Sequence, residues 1–322
     1  MRDSRLNMAE WNVQRSFIKL LIAGAFLLLA TDGQTDWPDR TPRPDRIARL
    51  HFQKVDLQGA VGRGLTLDGA WTLSADDARV MGLSALAVRA DGRLEALSDS
   101  GALVTFAPPK GDTAPALVSD LPGGPGYPTF KKYRDSEAMI VDADGRGRTI
   151  AFESRHSLWR FDADGTARKL PLPLPSAGWG SNKGIEAMVD NPAGGTTLLL
   201  HEGGRLVLRV TGMSAVRSLP LAGATGGVAD AVRLPDGRIV VAVREIGLLG
   251  LTDRLAWLER TGAGYRLVNF ATLPLGPLDN VEGLAAQADS DGRTILWAVT
   301  DNDGWRRTLL LRMTLDTRKA PA

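Results

Sequence analysis

Five times along this chain a polar residue runs straight into a short apolar segment. The segments are GLSALAV from Gly82, DSEAMIV from Asp135, KGIEAMV from Lys183, VADAVRL from Val228 and NVEGLAA from Asn280. Their anchor residues, Ser84, Glu137, Glu186, Asp230 and Glu282, are separated by 53, 49, 44 and 52 positions. A second row follows, of strands that end in a charge: EALSDS to Asp99, IAFES to Glu153, LLLHE to Glu202, VAVRE to Glu245 and WAVTD to Asp301. Between the rows stand Asp91-Gly92, Asp144-Gly145, Asn191-Pro192 with Gly194-Gly195, Asp236-Gly237 and Asp291-Gly292. Asp-Gly between two apolar runs is a strong hairpin signal, because glycine accepts the positive φ of a tight turn. Each repeat therefore opens with strand, turn and antiparallel strand. The start of the first strand then lies beside the end of the second, and both rows fall on one face of the molecule.

Two further strands complete each repeat, as in SLWRF with TARKLPL and RLAWLER with YRLVNFATL. The last repeat shows only three, ending in TLLLRMTL, and an N-terminal strand, LTLDGAWTL or RLHFQKVDL, is available to pair there and cover the edge. A period near fifty built from short strands predicts an all-β chain folded as a single β-propeller. It would have five four-stranded blades closed by an N-terminal strand, or six if both spare strands form a blade of their own. An all-β sandwich with chance alternation is the competing reading, and two registered rows at five places argue against it.

The repeats fill residues 82 to 316 without a linker, which places one domain over about 47–318 of the 322 residues. Ahead of it, LLIAGAFLLLA, Leu20 to Ala30, follows a basic stretch and is about as long as a signal-peptide core, short for a spanning helix. Residues 1–30 read as an export signal or an uncleaved anchor, and 31–46 as a polar, Pro-rich tether. The expected location is the periplasm or outside the cell, with no stable membrane span beyond the N-terminus. The chain has no cysteine, which excludes disulfides and a lipidated cysteine. The four basic and two acidic residues of the first thirty account for the formal charge of +2, so the remainder is balanced. A balanced body without a basic run leaves no footprint for nucleic acid. A monomer is expected.

The chemistry lies where the rows converge. Glu137, Glu186, Asp230 and Glu282 would meet near one axis, with Asp99, Glu153, Glu202 and Asp301 around them. Packed carboxylates repel unless they are protonated, paired or bound to a cation. Arginine or lysine could neutralise them, from Arg155, Lys183 or Arg244, or a hard divalent ion such as Ca²⁺ could bind through oxygen ligands. Purely structural acids that bond the next blade's amides are the bland alternative. Three histidines and no cysteine leave zinc with little support, and no G-x-S-x-G elbow occurs.

In order, GLSALAV with LSDSG, DSEAMIV with FESRHSLWRF, NKGIEAM, the block from Asp236 to Glu245, and DNVEGLA with TDND and RTLLLRM resemble the phytase-like domain family, known for an esterase-like activity of phytase. The likeness spans about Gly82 to Leu315. It implies an exported bacterial propeller akin to calcium-dependent phytases, with ester or phosphomonoester hydrolysis as the expected reaction. Two departures stand out: Ser84 replaces the acid in the first repeat, and VREIG leaves open whether Arg244 or Glu245 faces the site.

Two functions follow. In the first, a metal-dependent hydrolase of a small anionic ester, the metal ligands are Glu137, Glu186, Asp230, Glu282 and Asp301. The catalytic groups are Glu137, Glu186, Glu282 and His156, and Arg155, Lys183 and Arg244 contact the substrate. In the second, the same ring is a structural cation site and the face binds a partner without turnover.

Overall fold

The computed structural model describes residues 43–320 apart from 60, 127–130, 192–194, 213 and 303. The expected signal segment and tether residues 31–42 lie outside the described residues. Strands β1 (Arg46–Lys54) and β2 (Leu65–Ala75) open the described chain. Four antiparallel meanders follow: β3–β6 (Leu83–Val88, Leu94–Ser98, Ala102–Phe106, Thr113–Asp120), β7–β10 (Ser136–Val141, Arg148–Phe152, Ser157–Phe161, Ala167–Lys169), β11–β14 (Ile185–Asn191, Thr196–His201, Leu206–Thr211, Ala215–Ala222) and β15–β18 (Gly227–Arg233, Ile239–Gly247, Gly250–Arg260, Tyr265–Thr272). The last group, β19–β21 (Asn280–Ala288, Thr294–Asp301, Thr308–Leu315), has three strands of its own. Its fourth is β2, paired antiparallel with β21 from Leu65 opposite Leu315 to Leu73 opposite Thr308. LTLDGAWTL thus closes the array, while RLHFQKVDL supplies β1, which bridges β2 and β6. One four-residue helix, α1 (Lys131–Arg134), precedes β7.

The first strands of these groups close a ring. β3 packs on β7, β7 on β11, β11 on β15, β15 on β19, and β19 returns to β3. The result is a radial β-propeller. Apolar clusters hold neighbouring groups together, such as Ala187, Val189, Val228 and Val241 between the third and fourth meanders. Another, with Leu86, Leu94, Ala285 and Trp297, joins the last group to the first. Truncating a leucine in such a seam costs about 2–5 kcal/mol, because the hole left behind collapses only in part.

The predicted turns form as expected and carry a device of their own. Gly92, Gly145, Gly237 and Gly292 adopt positive φ, and in each turn the glycine N–H bonds the carbonyl three residues back. An arginine follows each glycine, and Arg93, Arg146, Arg238 and Arg293 turn back onto the aspartate of the same turn. The matching turn after β11 falls largely outside the described residues.

Candidate functional site

A β-bulge sits at the start of every first strand. The pairing register slips around Ser84, Glu137, Glu186 and Glu282, each left as the extra residue between two paired neighbours. A bulge re-aims one side chain without ending the strand, so it can turn these residues away from the blade. In the fourth meander the slip falls between Val228 and Asp230, so the extra residue is Ala229. Asp230 is therefore one position out of step with the glutamates. Its carboxylate accepts the N–H groups of Ala231 (2.7 Å) and Leu284 (2.5 Å), tying β15 to β19. Asp230, expected as a fourth ring ligand, is placed by this shift as a strand-end acid that bonds its neighbour's backbone. Burial nevertheless pushes its pKa well up, against the pull of those two amides.

Three second-row residues, Asp99, Glu153 and Glu202, reach the next group in the ring. The Asp99 carbonyl accepts the Ser136 N–H (3.2 Å), and the Glu202 carbonyl accepts that of Val228 (2.8 Å). Asn302 Oδ1 accepts the Gly82 N–H (3.1 Å), which closes the circuit. Glu153 lies so close to Gly184 that a Cβ there would meet its Cγ at 2.8 Å, which is why the motif NKGIE needs its glycine.

Among the described residues two trios of carboxylate oxygens result, Asp135–Glu137–Glu153 and Glu153–Glu186–Glu202, each within 4.8 Å. Glu153 belongs to both. Burial pushes the Glu137 pKa well up, reinforced by Asp135, Glu186, Glu153 and Glu282. Glu186, almost fully buried, is raised by burial and then by Glu153, Glu282 and Glu202, with Arg244 opposing.

Arg244 is a cation of this cluster, which settles the VREIG ambiguity. Its Nη1 donates to Glu282 and to Asn280 Oδ1 (2.6 Å), and Nη2 lies 3.7 Å from Glu202. Asn280 also donates to Glu282. Glu245 points elsewhere and pairs with Arg254 at 3.1 Å. Lys183 is exposed and stands 3.5 Å from Glu202. Arg155 was expected at the ring, yet it is exposed and its guanidinium stacks over the Tyr133 ring, 4.4 Å from the centroid. His156 packs edge-on to Trp179, which also touches His201, and burial lowers the pKa of both histidines. Asp301 sits opposite Asn280 at the end of β20, outside both trios.

The residues that could hold a metal differ from the expected set. Glu137 and Glu186 remain, Asp135, Glu153 and Glu202 join them, and Glu282 is engaged by Arg244. Glu153 and Glu202 were legible as strand-end acids. Asp135 carried no signal beyond its place ahead of the anchor motif, and Asp253 carried none at all. That residue, on β17, is buried, with its Oδ1 accepting the Val281 N–H (3.3 Å) and its pKa pushed up by burial to about 7. The donor set fits a hard divalent ion: it is all carboxylate oxygen, and ligands at about 2.3–2.6 Å from a Ca²⁺ lie within about 5 Å of one another.

A family model described as "Phytase-like: Esterase-like activity of phytase" matches residues 78–304. No curated protein matches the chain. Among solved structures, a virginiamycin B lyase from Staphylococcus aureus is 12% identical with a TM-score of 0.43, covering 83% of this chain and 99% of that one. A putative gluconolactonase is 11% identical with a TM-score of 0.48, over 85% and 94%. A protein of unknown function from Bacteroides thetaiotaomicron is 12% identical with a TM-score of 0.48, over 86% and 84%. At these values the likenesses carry no argument about function.

Proposed function

As this chain belongs to the phytase-like family, we propose that it is a five-bladed propeller hydrolase of ester bonds that works with a divalent cation, Ca²⁺, at its acidic face. The observation that carries the reading is the pair of oxygen trios that share Glu153. Asp135, Glu137, Glu153, Glu186 and Glu202 would hold the ion. Bound there, it supplies Lewis-acid polarisation of an ester oxygen.

The chain's own groups divide the remaining work. Glu186 and Glu137, raised before any cation binds by burial and by their neighbours, would give up their protons to ligate the cation. Arg244 holds Glu282 and Asn280 in place at one side of the cluster. His156, against Trp179, is better placed to shape the rim than to exchange protons with the trios. Because Arg155 stacks on Tyr133 while Lys183 and Arg244 face carboxylates, an acyl ester suits the face better than a phosphomonoester. We also propose that the protein acts as an exported monomer.

The test is turnover of nitrophenyl acyl esters and nitrophenyl phosphate, with Ca²⁺ and with chelator. Acyl ester turnover that chelator removes and Glu186→Gln abolishes is expected. The second reading, a structural cation in a non-catalytic propeller, is favoured by the contacts Arg244 already makes with Glu282 and Glu202. A protein stabilised by Ca²⁺ that turns over none of these substrates would establish it.

A further inference from the structure

The hairpin that carries Arg244 does not stop at the acidic face. β16 and β17 run on to a two-residue tip, where Gly247 pairs with Gly250 and Leu248–Leu249 make the turn. Those leucines are 90% and 93% exposed, and Ile246 just below them is 74% exposed. The central positions of tight turns favour Gly, Asn and Asp, so paired leucines here contradict local preference. From Arg244 to Leu248 the strand extends about 13 Å, well clear of the carboxylates.

The tip has apolar company on the same rim. The Leu251 N–H bonds the Pro277 carbonyl (2.8 Å), and a Cβ on Gly250 would strike the same residue. Leu278, next along, is half exposed. Asp279 then takes a two-pronged contact from Arg307 (2.9 and 2.6 Å), which binds this loop to the one bearing exposed Trp305. The Arg306 guanidinium stacks on Trp305, 4.7 Å from the ring centroid. Arg306, Arg307 and Asn302 also line a cleft of about 360 Å³ whose other wall includes Asp77 and Met81.

That other wall is where the described chain begins. The Arg43 N–H bonds Asp120, Arg79 bonds the Pro44 carbonyl, and Arg46 stands 3.4 Å from Asp76. The apolar run Leu20–Ala30 therefore ends only thirteen residues before a point on this rim, a reach of up to about 45 Å. Among the described residues no helix is long and apolar enough to cross a membrane, so contact with lipid would be made by loops.

We propose that Leu248, Leu249, Ile246, Leu278 and Trp305 form a lip that docks the acidic face onto an electrically neutral lipid surface. Leucines at a tip with tryptophan and arginine behind them match the layers of a bilayer interface, where an indole with a polar edge settles at headgroup depth. The cations beside the lip are engaged, Arg307 by Asp279 and Arg306 on Trp305, which sets the choice of a neutral rather than an anionic surface. The proposal is independent of whether the face hydrolyses anything.

The chain lacks cysteine, so one introduced thiol is a unique label site. Full-length protein with Leu249→Cys, carrying an environment-sensitive fluorophore, is mixed with phosphatidylcholine vesicles. Ala263→Cys, on the exposed turn between β17 and β18 away from the lip, is the control. The expected result is a blue-shifted, brighter signal at 249, quenched by spin-labelled lipid, with no change at 263. Leu248→Ser in the Leu249→Cys background should reverse most of that change while the melting temperature stays the same. A label at 249 that remains in water, or labels that respond alike at both positions, overturns the proposal. A response at 249 to a soluble alkyl ester without vesicles, and none to vesicles, also overturns it and assigns the lip to the substrate.

Discussion

Replacing Glu186 with glutamine should move the stability of this protein in opposite directions with and without calcium. Glu186 is almost fully buried, and its pKa is raised by burial and by Glu153, Glu282 and Glu202. A carboxyl whose folded pKa lies above its unfolded value binds more protons in the native state. The resulting penalty is absent below the unfolded pKa and grows as pH rises through the window up to the folded one. At pH 8 without divalent ions, Glu186→Gln removes that penalty and should raise the melting temperature. With Ca²⁺ the sign reverses, because the variant loses a ligand. An ion at a hundredfold excess over Kd stabilises the wild type by about 2.7 kcal/mol. For a folded body of about 280 residues the unfolding entropy is about 0.6 kcal/mol/K, so the wild-type rise is about 4–5 °C. Thermal melts of both proteins, with Ca²⁺ and with chelator, read both effects. A wild-type melt indifferent to chelator would refute the cation site. A variant less stable than wild type at pH 8 in chelator would refute the account of a penalised buried charge.

Three further outcomes follow from the same geometry. Because Glu137 and Glu186 hold protons more tightly than ordinary carboxyls, Ca²⁺ binding at neutral pH should release protons, measured as a dependence of calorimetric heat on buffer ionisation enthalpy; no such dependence is the contrary result. Arg244→Gln should destabilise by about 3–5 kcal/mol, since it strands Glu282 without its partner; denaturant titration reads it, and a variant as stable as wild type is the contrary result. Asp253→Asn should flatten the pH dependence of stability. With a folded pKa of about 7, the wild type loses stability as pH rises from about 4 to 7, by up to about 1.4 kcal/mol per unit. Denaturant midpoints across that range check it, and parallel wild-type and variant curves would sink it.

Much of this was readable along the chain. The fifty-residue period, the Asp-Gly turns and the incomplete last repeat foretold the ring of strands, because alternation and turn chemistry are local properties that any window of sequence displays. The closure through LTLDGAWTL was legible for the same reason: a three-stranded group leaves an edge, and a spare strand stood upstream. The convergence of Glu137 and Glu186 with Glu153 and Glu202 also followed, since a hairpin must bring the start of one strand beside the end of the next.

What only the tertiary structure decided is which way individual side chains face. Strand side chains alternate, so one extra residue at a bulge reverses the face of everything beyond it. Aligning on acids placed Asp230 with the glutamates, whereas the bulge in that strand falls on Ala229 and leaves Asp230 to bond Leu284. The same kind of choice put Arg244 rather than Glu245 among the carboxylates. Long cations are settled later still, by whatever surface lies within reach of a flexible stem: Arg155 found the ring of Tyr133, and Lys183 found Glu202. Sequence determined which groups come to the axis, and packing between blades determined which of them meet.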